Sequence, residues 1–171
     1  MQKILIISDT HSFLDERLNP HIDWCDQIWH AGDWGNESIS DTLEARKPIH
    51  GVYGNIDGAV LRRMYKKILH FNCEEVSIGI THIAGTPLRY KPDALECLSI
   101  KTPDIFICGH SHLLQIKRDM NRNGMLFINP GAVGKHGFHQ VQTAVRLKID
   151  GKRIFDVEVV EFQLRVLGNE L

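Results

Sequence analysis

Seven side chains between positions 9 and 112 are of the types that hold divalent cations: Asp9, His11, Asp33, Asn55, His82, His110 and His112. Each follows a short apolar run. KILIIS precedes Asp9-Thr10-His11, DQIWHA precedes Gly32-Asp33, HGVY precedes Gly54-Asn55-Ile56-Asp57, VSIGI precedes Thr81-His82, and DIFIC precedes Gly109-His110-Ser111-His112. Imidazole suits zinc, iron and nickel, and carboxylate and amide oxygens extend the choice to manganese. Two carboxylates, one amide and four imidazoles are too many for one ion. Two ions about 3.5–4 Å apart, with Asp33 between them, would use the whole set. Two such ions bring about four positive charges, of which Asp9, Asp33 and one hydroxide remove three. The charge left over is local and suits a phosphate anion.

Taken singly, an Asp after a strand is most often a cap or turn residue, and Gly-Asn is a turn dipeptide. The series carries the argument, because in open α/β sheets groups at the carboxyl ends of strands converge on one crevice. Gly32, Gly54 and Gly109 each stand one residue before a candidate ligand, where the missing Cβ lets the chain turn and lets another group come close. Asp57 is read either as orienting a ligand histidine through its other ring nitrogen or as a plain loop carboxylate. His30 is expected to be buried and satisfied. His21, His50, His70, His136 and His139 have no motif around them and are expected to be solvated or structural. Lys135 and His136 are weaker candidates for lining the pocket. Trp29 is assigned to the core, and Trp34, beside Asp33, to a pocket wall.

Continuous apolar runs such as Lys3 to Ser8 mark strands buried on both faces. Strands are expected near 26–31, 49–53 and 104–108, and a strand or hairpin over 73–82. Helices are expected from Phe13 to Asn19 with Pro20 as the stop, from Asn36 to Lys47, weakly from Val60 to Leu69, and from Pro92 to Ser99 with Pro92 in its first turn. Asn123-Gly124 and Asp150-Gly151 then each predict a two-residue hairpin. Alternating strands and helices followed by an antiparallel meander imply a mixed α/β fold with more than one sheet, read as a single domain over 1–171.

The composition is that of an ordinary globular chain, with 43% apolar and 24% charged residues and a net charge of -1. No long basic surface for nucleic acid and no polybasic anchor is expected. No apolar stretch approaches the ~20 residues of a membrane helix, and the N-terminus does not read as a signal peptide. Cys25, Cys73, Cys97 and Cys108 have no CxxC spacing and are expected to be reduced and buried, which points to the cytoplasm. The C-terminal hairpins are a candidate surface for pairing subunits into a homo-oligomer.

The ordered motifs resemble those of the calcineurin-like metallophosphoesterases, whose pattern is DxH, GD, GNx[DE], a lone His after a strand, and GHxH. In length and simplicity the chain is similar to the small YfcE-type phosphodiesterase branch, which also contains the Vps29 relatives. The resemblance runs from residue 4 to about residue 134 and includes Ile128 to Gly131. It implies a two-sheet αββα sandwich. It also implies one ion on Asp9, His11, Asp33 and His112 and a second on Asp33, Asn55, His82 and His110, with Mn2+ the first candidate and Zn2+, Fe2+ and Ni2+ behind it. A hydroxide between the ions would attack a small-molecule phosphate ester. Larger members carry GNH in the third motif, where the histidine helps to protonate the leaving group or hold the phosphate. Ile56 stands there in this chain, so weak activity on poor leaving groups and a preference for aryl diesters are expected. The other function class is a protein-binding scaffold of the Vps29 kind.

Overall fold

The computed structural model describes residues 1–136 and 141–164. His139, expected to be solvated or structural, lies outside the described residues, as does the end of the chain beyond 164. The first half runs β1 (Gln2–Ile7), α1 (Asn19–Trp24), β2 (Gln27–His30), α2 (Glu37–Glu44), β3 (Ile49–Gly51), α3 (Ala59–Met64), β4 (Ile68–Cys73) and β5 (Val76–Thr81). The second half runs β6 (Gly85–Thr86), β7 (Arg89–Tyr90), α4 (Pro92–Ile100), β8 (Ile105–Ile107), β9 (Gln115–Asp119), β10 (Met125–Asn129), β11 (Val141–Asp150) and β12 (Arg153–Leu164).

Two five-stranded sheets form, ordered β12-β11-β1-β2-β3 and β4-β5-β8-β10-β9, beside a small β6-β7 hairpin. In the first sheet β1, β2 and β3 are parallel and β11 joins β1 antiparallel. In the second, β5, β8 and β10 are parallel. The double burial read from the apolar runs has a direct structural cause. Ile4 and Ile6 face the layer between the sheets together with Ile78, Ile80, Ile105, Ile107 and Ile128. Leu5 and Ile7, on the other face of β1, pack with Ile22 of α1, Ile39 and Leu43 of α2 and Leu61 of α3. Phe106 and Cys108 pack with Ala94, Cys97 and Leu98 of α4. Side chains alternate across each strand, so one apolar run serves two cores. The result is an αββα sandwich.

Several local expectations change. Pro20 does not stop a helix. It sits in the first turn of α1, where its fixed φ and missing N–H are tolerated, after a 3-10 turn at Glu16–Leu18. The strand or hairpin predicted at 73–82 is the second arm of a β4-β5 hairpin, whose first arm, Ile68–Cys73, overlaps the end of the predicted weak helix. Asn123-Gly124 is not a two-residue hairpin. Met120–Arg122 form a 3-10 turn, Asn123 takes the left-handed conformation, and Met125 pairs with Asp119 across a five-residue connection. The final hairpin is a two-residue turn shifted by one position, Gly151-Lys152, since Asp150 pairs with Arg153. All four cysteines are buried and free. Among the described residues no helix is long and apolar enough to cross a membrane.

Candidate metal centre

The parallel strands of both sheets end on the same side of the sandwich, and the seven candidates lie in the turns that follow. Asp9 and His11 follow β1, Asp33 follows β2, Asn55 follows β3, His82 follows β5, and His110 and His112 follow β8. His110 N–H crosses between the sheets to Asp9 Oδ2 (3.1 Å), and within each sheet neighbouring turns are stitched to one another. Asp9 N–H donates to Gly32 O (3.0 Å), His11 N–H to Asp33 O (3.1 Å), and Gly109 N–H to His82 O (3.0 Å).

Two groups of donor atoms result. Asp9, His11 and His112 form one, and Asp33, His82 and His110 form the other, with the ligand atoms of each group within 4.8 Å of one another. In the first group His112 Nε2 lies 3.1 Å and His11 Nε2 3.8 Å from Asp9 Oδ1, and the two ring nitrogens face each other at 3.2 Å. Asp9 is fully buried, and among the described residues its Oδ1 has no hydrogen-bond donor. A buried carboxylate oxygen without a donor costs free energy unless something else satisfies it. In the second group Asn55 Oδ1 sits 3.1 Å from His82 Nε2 and 2.8 Å from His110 Nδ1. Asp33 joins the groups. Its Oδ1 is 3.2 Å from His82 Nε2, and its Oδ2 is 4.0 Å from His11 Nε2. Carboxylate and imidazole donors of this kind suit a borderline divalent cation, and the Asp9 oxygen without a hydrogen-bond donor is an atom such an ion would satisfy.

The protonation states agree with this. His82 Nδ1 lies 2.7 Å from Ala31 O, which accepts its proton, and Nε2 faces two acceptors, Asp33 Oδ1 and Asn55 Oδ1, so that it carries a proton there when no cation is bound. Burial opposes the His82 imidazolium, but hydrogen bonding to Asp33 and the charges of Asp9 and Asp33 outweigh it, and its pKa is raised. Burial also opposes the Asp33 carboxylate, but His82 and the Ile56 N–H (3.1 Å) hold its pKa below the ordinary value. Burial lowers His11 and His110, against the pull of the nearby Asp9 and Asp33 carboxylates. Neutral imidazoles are the form that binds metal: His11 and His110 are shifted toward that form, while His82 would give up its Nε2 proton to an ion.

One feature of the backbone had no signal in the sequence. Asp9, His11, Asp33, His110 and His112 all have positive φ, from 47° to 66°. Non-glycine residues rarely adopt this left-handed conformation, and it persists only where the surroundings enforce it. The preceding glycines are needed mainly for close approach. A Cβ at Gly54 would stand 2.0 Å from Asp33 Oδ1, and one at Gly109 would stand 2.0 Å from Ser8 Oγ and 2.7 Å from Asp9 Oδ2.

The supporting residues differ in part from expectation. Asp57 is buried, and among the described residues it hydrogen-bonds to backbone amides rather than to a histidine ring. Its carboxylate accepts from the N–H groups of Gly35 (3.0 Å) and Gly54 (2.7 Å), tying the Asp33 turn to the Asn55 turn. Trp34 is no pocket wall. It is fully buried, stacked between His30 (3.6 Å) and Tyr65 (4.4 Å), with its indole N–H on Val52 O. His30 Nδ1 accepts from Gly32 N–H (3.1 Å), which leaves Nε2 to donate to Thr10 Oγ1 (3.1 Å). Its burial keeps its pKa well below the usual value. Lys135 lies over the Phe13 ring at 3.9 Å, and the exposed His136 ring meets His11 edge-on at 5.9 Å. Asn129, at the end of β10, was given no role by the sequence. Its amide donates to Gly109 O (2.8 Å) and Ser111 Oγ (3.0 Å), holding the Gly-His-Ser-His turn. An Asn-Pro-Gly after a sixth buried strand was the signal that could have revealed it.

The chain belongs to the calcineurin-like phosphoesterase superfamily, whose domain model matches residues 2–152. A probable metallophosphoesterase of Methanothermobacter thermautotrophicus is 29% identical over 161 residues, covering 91% of this chain and 90% of that one. Among solved structures, Vps29 of Chaetomium thermophilum superposes with a TM-score of 0.72 at 17% identity, covering 96% of this chain and 100% of that one. Vps29 of Entamoeba histolytica, solved with Zn2+, gives 0.70 at 18% identity, covering 94% and 98%. At these identities the two Vps29 structures speak for the fold.

Proposed function

We propose that this chain is a metal-dependent phosphoesterase that cleaves small-molecule phosphodiesters, with one divalent ion on Asp9, His11, Asp33 and His112 and a second on Asp33, Asn55, His82 and His110. The observation that carries the reading is Asp33, a buried carboxylate with one oxygen directed at each group of imidazoles. When bound, the ion pair supplies Lewis acidity at the phosphoryl oxygens and a water ionised near neutral pH. The chain does the rest. Asp33 sets the spacing of the two groups, Asn55 Oδ1 aligns His82 and His110, and the Ala31 carbonyl fixes the His82 tautomer. Mn2+ is the ion proposed first. Zn2+, present in the Entamoeba Vps29 structure, is the nearest competitor.

Ile56 is the residue that shapes substrate choice. Its side chain is 48% exposed beside Asn55 and has no proton to give to a leaving oxygen. Esters with good leaving groups are therefore favoured, and Ile56→His raises turnover of alkyl esters selectively, by up to the ~10²-fold low end of general acid catalysis. The substrate is free in solution, neither nucleic acid nor membrane lipid. The cytoplasm, where four unbridged buried thiols are ordinary, is the proposed location.

The test is hydrolysis of bis(p-nitrophenyl) phosphate with Mn2+, after chelation, and after metal is restored, alongside metal analysis of the unchelated protein. Turnover that disappears with the chelator and returns with the ion is expected. Absence of turnover with two ions bound would favour a Vps29-like scaffold, the second reading, which rests on the Vps29 fold neighbours.

A further inference from the structure

Beside the second group of ligands lies a cavity of about 160 Å³, bordered by Tyr53, Asn55, Arg62, Lys67, His82 and Asp93. It shares Asn55 and His82 with the candidate metal centre, so whatever fills it is adjacent to a phosphoryl group held there. Its volume suits one compact substituent rather than a whole cofactor.

The charges around this cavity are unequal. Lys67 Nζ is 2.9 Å from Asp93 and 3.3 Å from Glu96, so the lysine is already matched by carboxylates. Arg62 is not. Its Nε donates to Asp57 O (2.7 Å), and its Nη2 donates to Asn55 O (3.1 Å) and Gly54 O (3.3 Å). Its guanidinium carbon stands 4.6 Å from the centre of the Tyr53 ring. Among the described residues no carboxylate pairs with this guanidinium. Three carbonyls and an aromatic face thus fix the plane of an exposed arginine while leaving its charge uncompensated and its Nη1 unused. An arginine held in place before a ligand arrives loses little freedom on binding an anion.

We propose that this cavity is an anion subsite read by Arg62, so that the preferred substrate carries a second anionic group, a carboxylate or phosphate, on the ester substituent next to the cleaved phosphoryl group. The inference rests on the phosphoesterase reading for the position of that phosphoryl group. It differs from the Ile56 argument, which concerns protonation of the leaving oxygen and not recognition of what that oxygen carries.

The experiment compares an inert pair of equal size, phosphonoacetate and phosphonoacetamide, by calorimetry on the protein with two equivalents of Mn2+ bound. Both present a phosphonate, and only the first adds a carboxylate. Phosphonoacetate is expected to bind about tenfold tighter, the size of one charge-assisted hydrogen-bonded pair. In Arg62→Gln the preference should fall to about twofold or less, with the amide binding as in the wild type. In Arg62→Lys, which keeps the charge and loses the fixed plane, an intermediate preference is expected. A general loosening of the Asn55 turn would weaken both ligands equally, leave the ratio intact and so overturn the subsite. Equal binding of the two ligands by the wild type would also overturn it. If the loaded protein binds neither phosphonate, the phosphoesterase reading itself fails, and the subsite with it.

Discussion

The two ends of the sandwich are built from the same strands and have opposite characters. At one end the turns after β1, β2, β3, β5 and β8 bring the candidate ligands together. At the other, the β4-β5, β9-β10 and β11-β12 connections border a groove of about 550 Å³ lined by residues such as Glu75, Asp104, Arg118, Asn123 and Lys152. The groove is the larger hollow, but its charges are spent locally. Lys152 faces Glu75 at 3.8 Å, Arg118 donates to Gly124 O, and Asp104 accepts from Ser77. Positive φ at this end falls mainly on turn residues suited to it, Asn123, Gly124 and Gly151, with Glu74 the exception. At the ligand end it falls on aspartates and histidines. Size therefore says little about where the chemistry is. Strained, chemically capable residues held by hydrogen bonds between turns say more, because such conformations cost about 1–3 kcal/mol each and must be enforced.

The sharpest way to break this contrast is Asp33→Asn. The amide keeps the shape and gives up the charge shared by both groups. Hydrolysis of an activated diester should fall by on the order of 10³-fold, since a lost ion forfeits several kcal/mol of transition-state stabilisation. Retained turnover would mean that the two groups are not the site. Asp57→Asn is next. One of the two turn amides it holds loses its acceptor, and Mn2+ affinity measured by calorimetry should weaken by ~10–100-fold, as for other residues that support ligands. Unchanged affinity would show that the Gly35 and Gly54 turns hold themselves. The smallest effects come from a pair of glycines, one at each end. Gly54→Ala forces a Cβ against Asp33 and should cost about 1–3 kcal/mol in urea unfolding, together with metal affinity. Gly124→Ala meets no atom within 4 Å, and only its φ of 73° is strained. It should cost about 1 kcal/mol and leave metal binding untouched. If both variants bind metal equally well, the two ends are less different than their geometry suggests.

Much of this was legible in the chain itself. Buried strands declare themselves as continuous apolar runs, because each needs apolar side chains on both faces, and β1 and β8 appear almost to the residue. The candidate ligands were found because polar residues at strand ends stand out against those runs. Edges and turns were less clear. The β4 strand, Ile68–Cys73, is only partly buried and carries a mixed pattern that also suits a helix. The Asn123-Gly124 dipeptide has the right chemistry for a tight hairpin, but the preceding 3-10 turn takes up the reversal. The role of Asp57 stayed open between two readings because sequence shows a carboxylate near a ligand and not which hydrogen-bond donors its two oxygens meet.

Residue type and order alone gave five of the six strands in the parallel regions, the residues available to bind metal and the family pattern they follow, since these depend only on local polarity and spacing. The tertiary structure alone decided which imidazoles stand in one group, which oxygen of Asp33 faces which group, that Asp57 and Asn129 hold turns, and that among the described residues no carboxylate pairs with Arg62. Those outcomes depend on distances between strands in two different sheets, and no local rule along the chain can fix such distances.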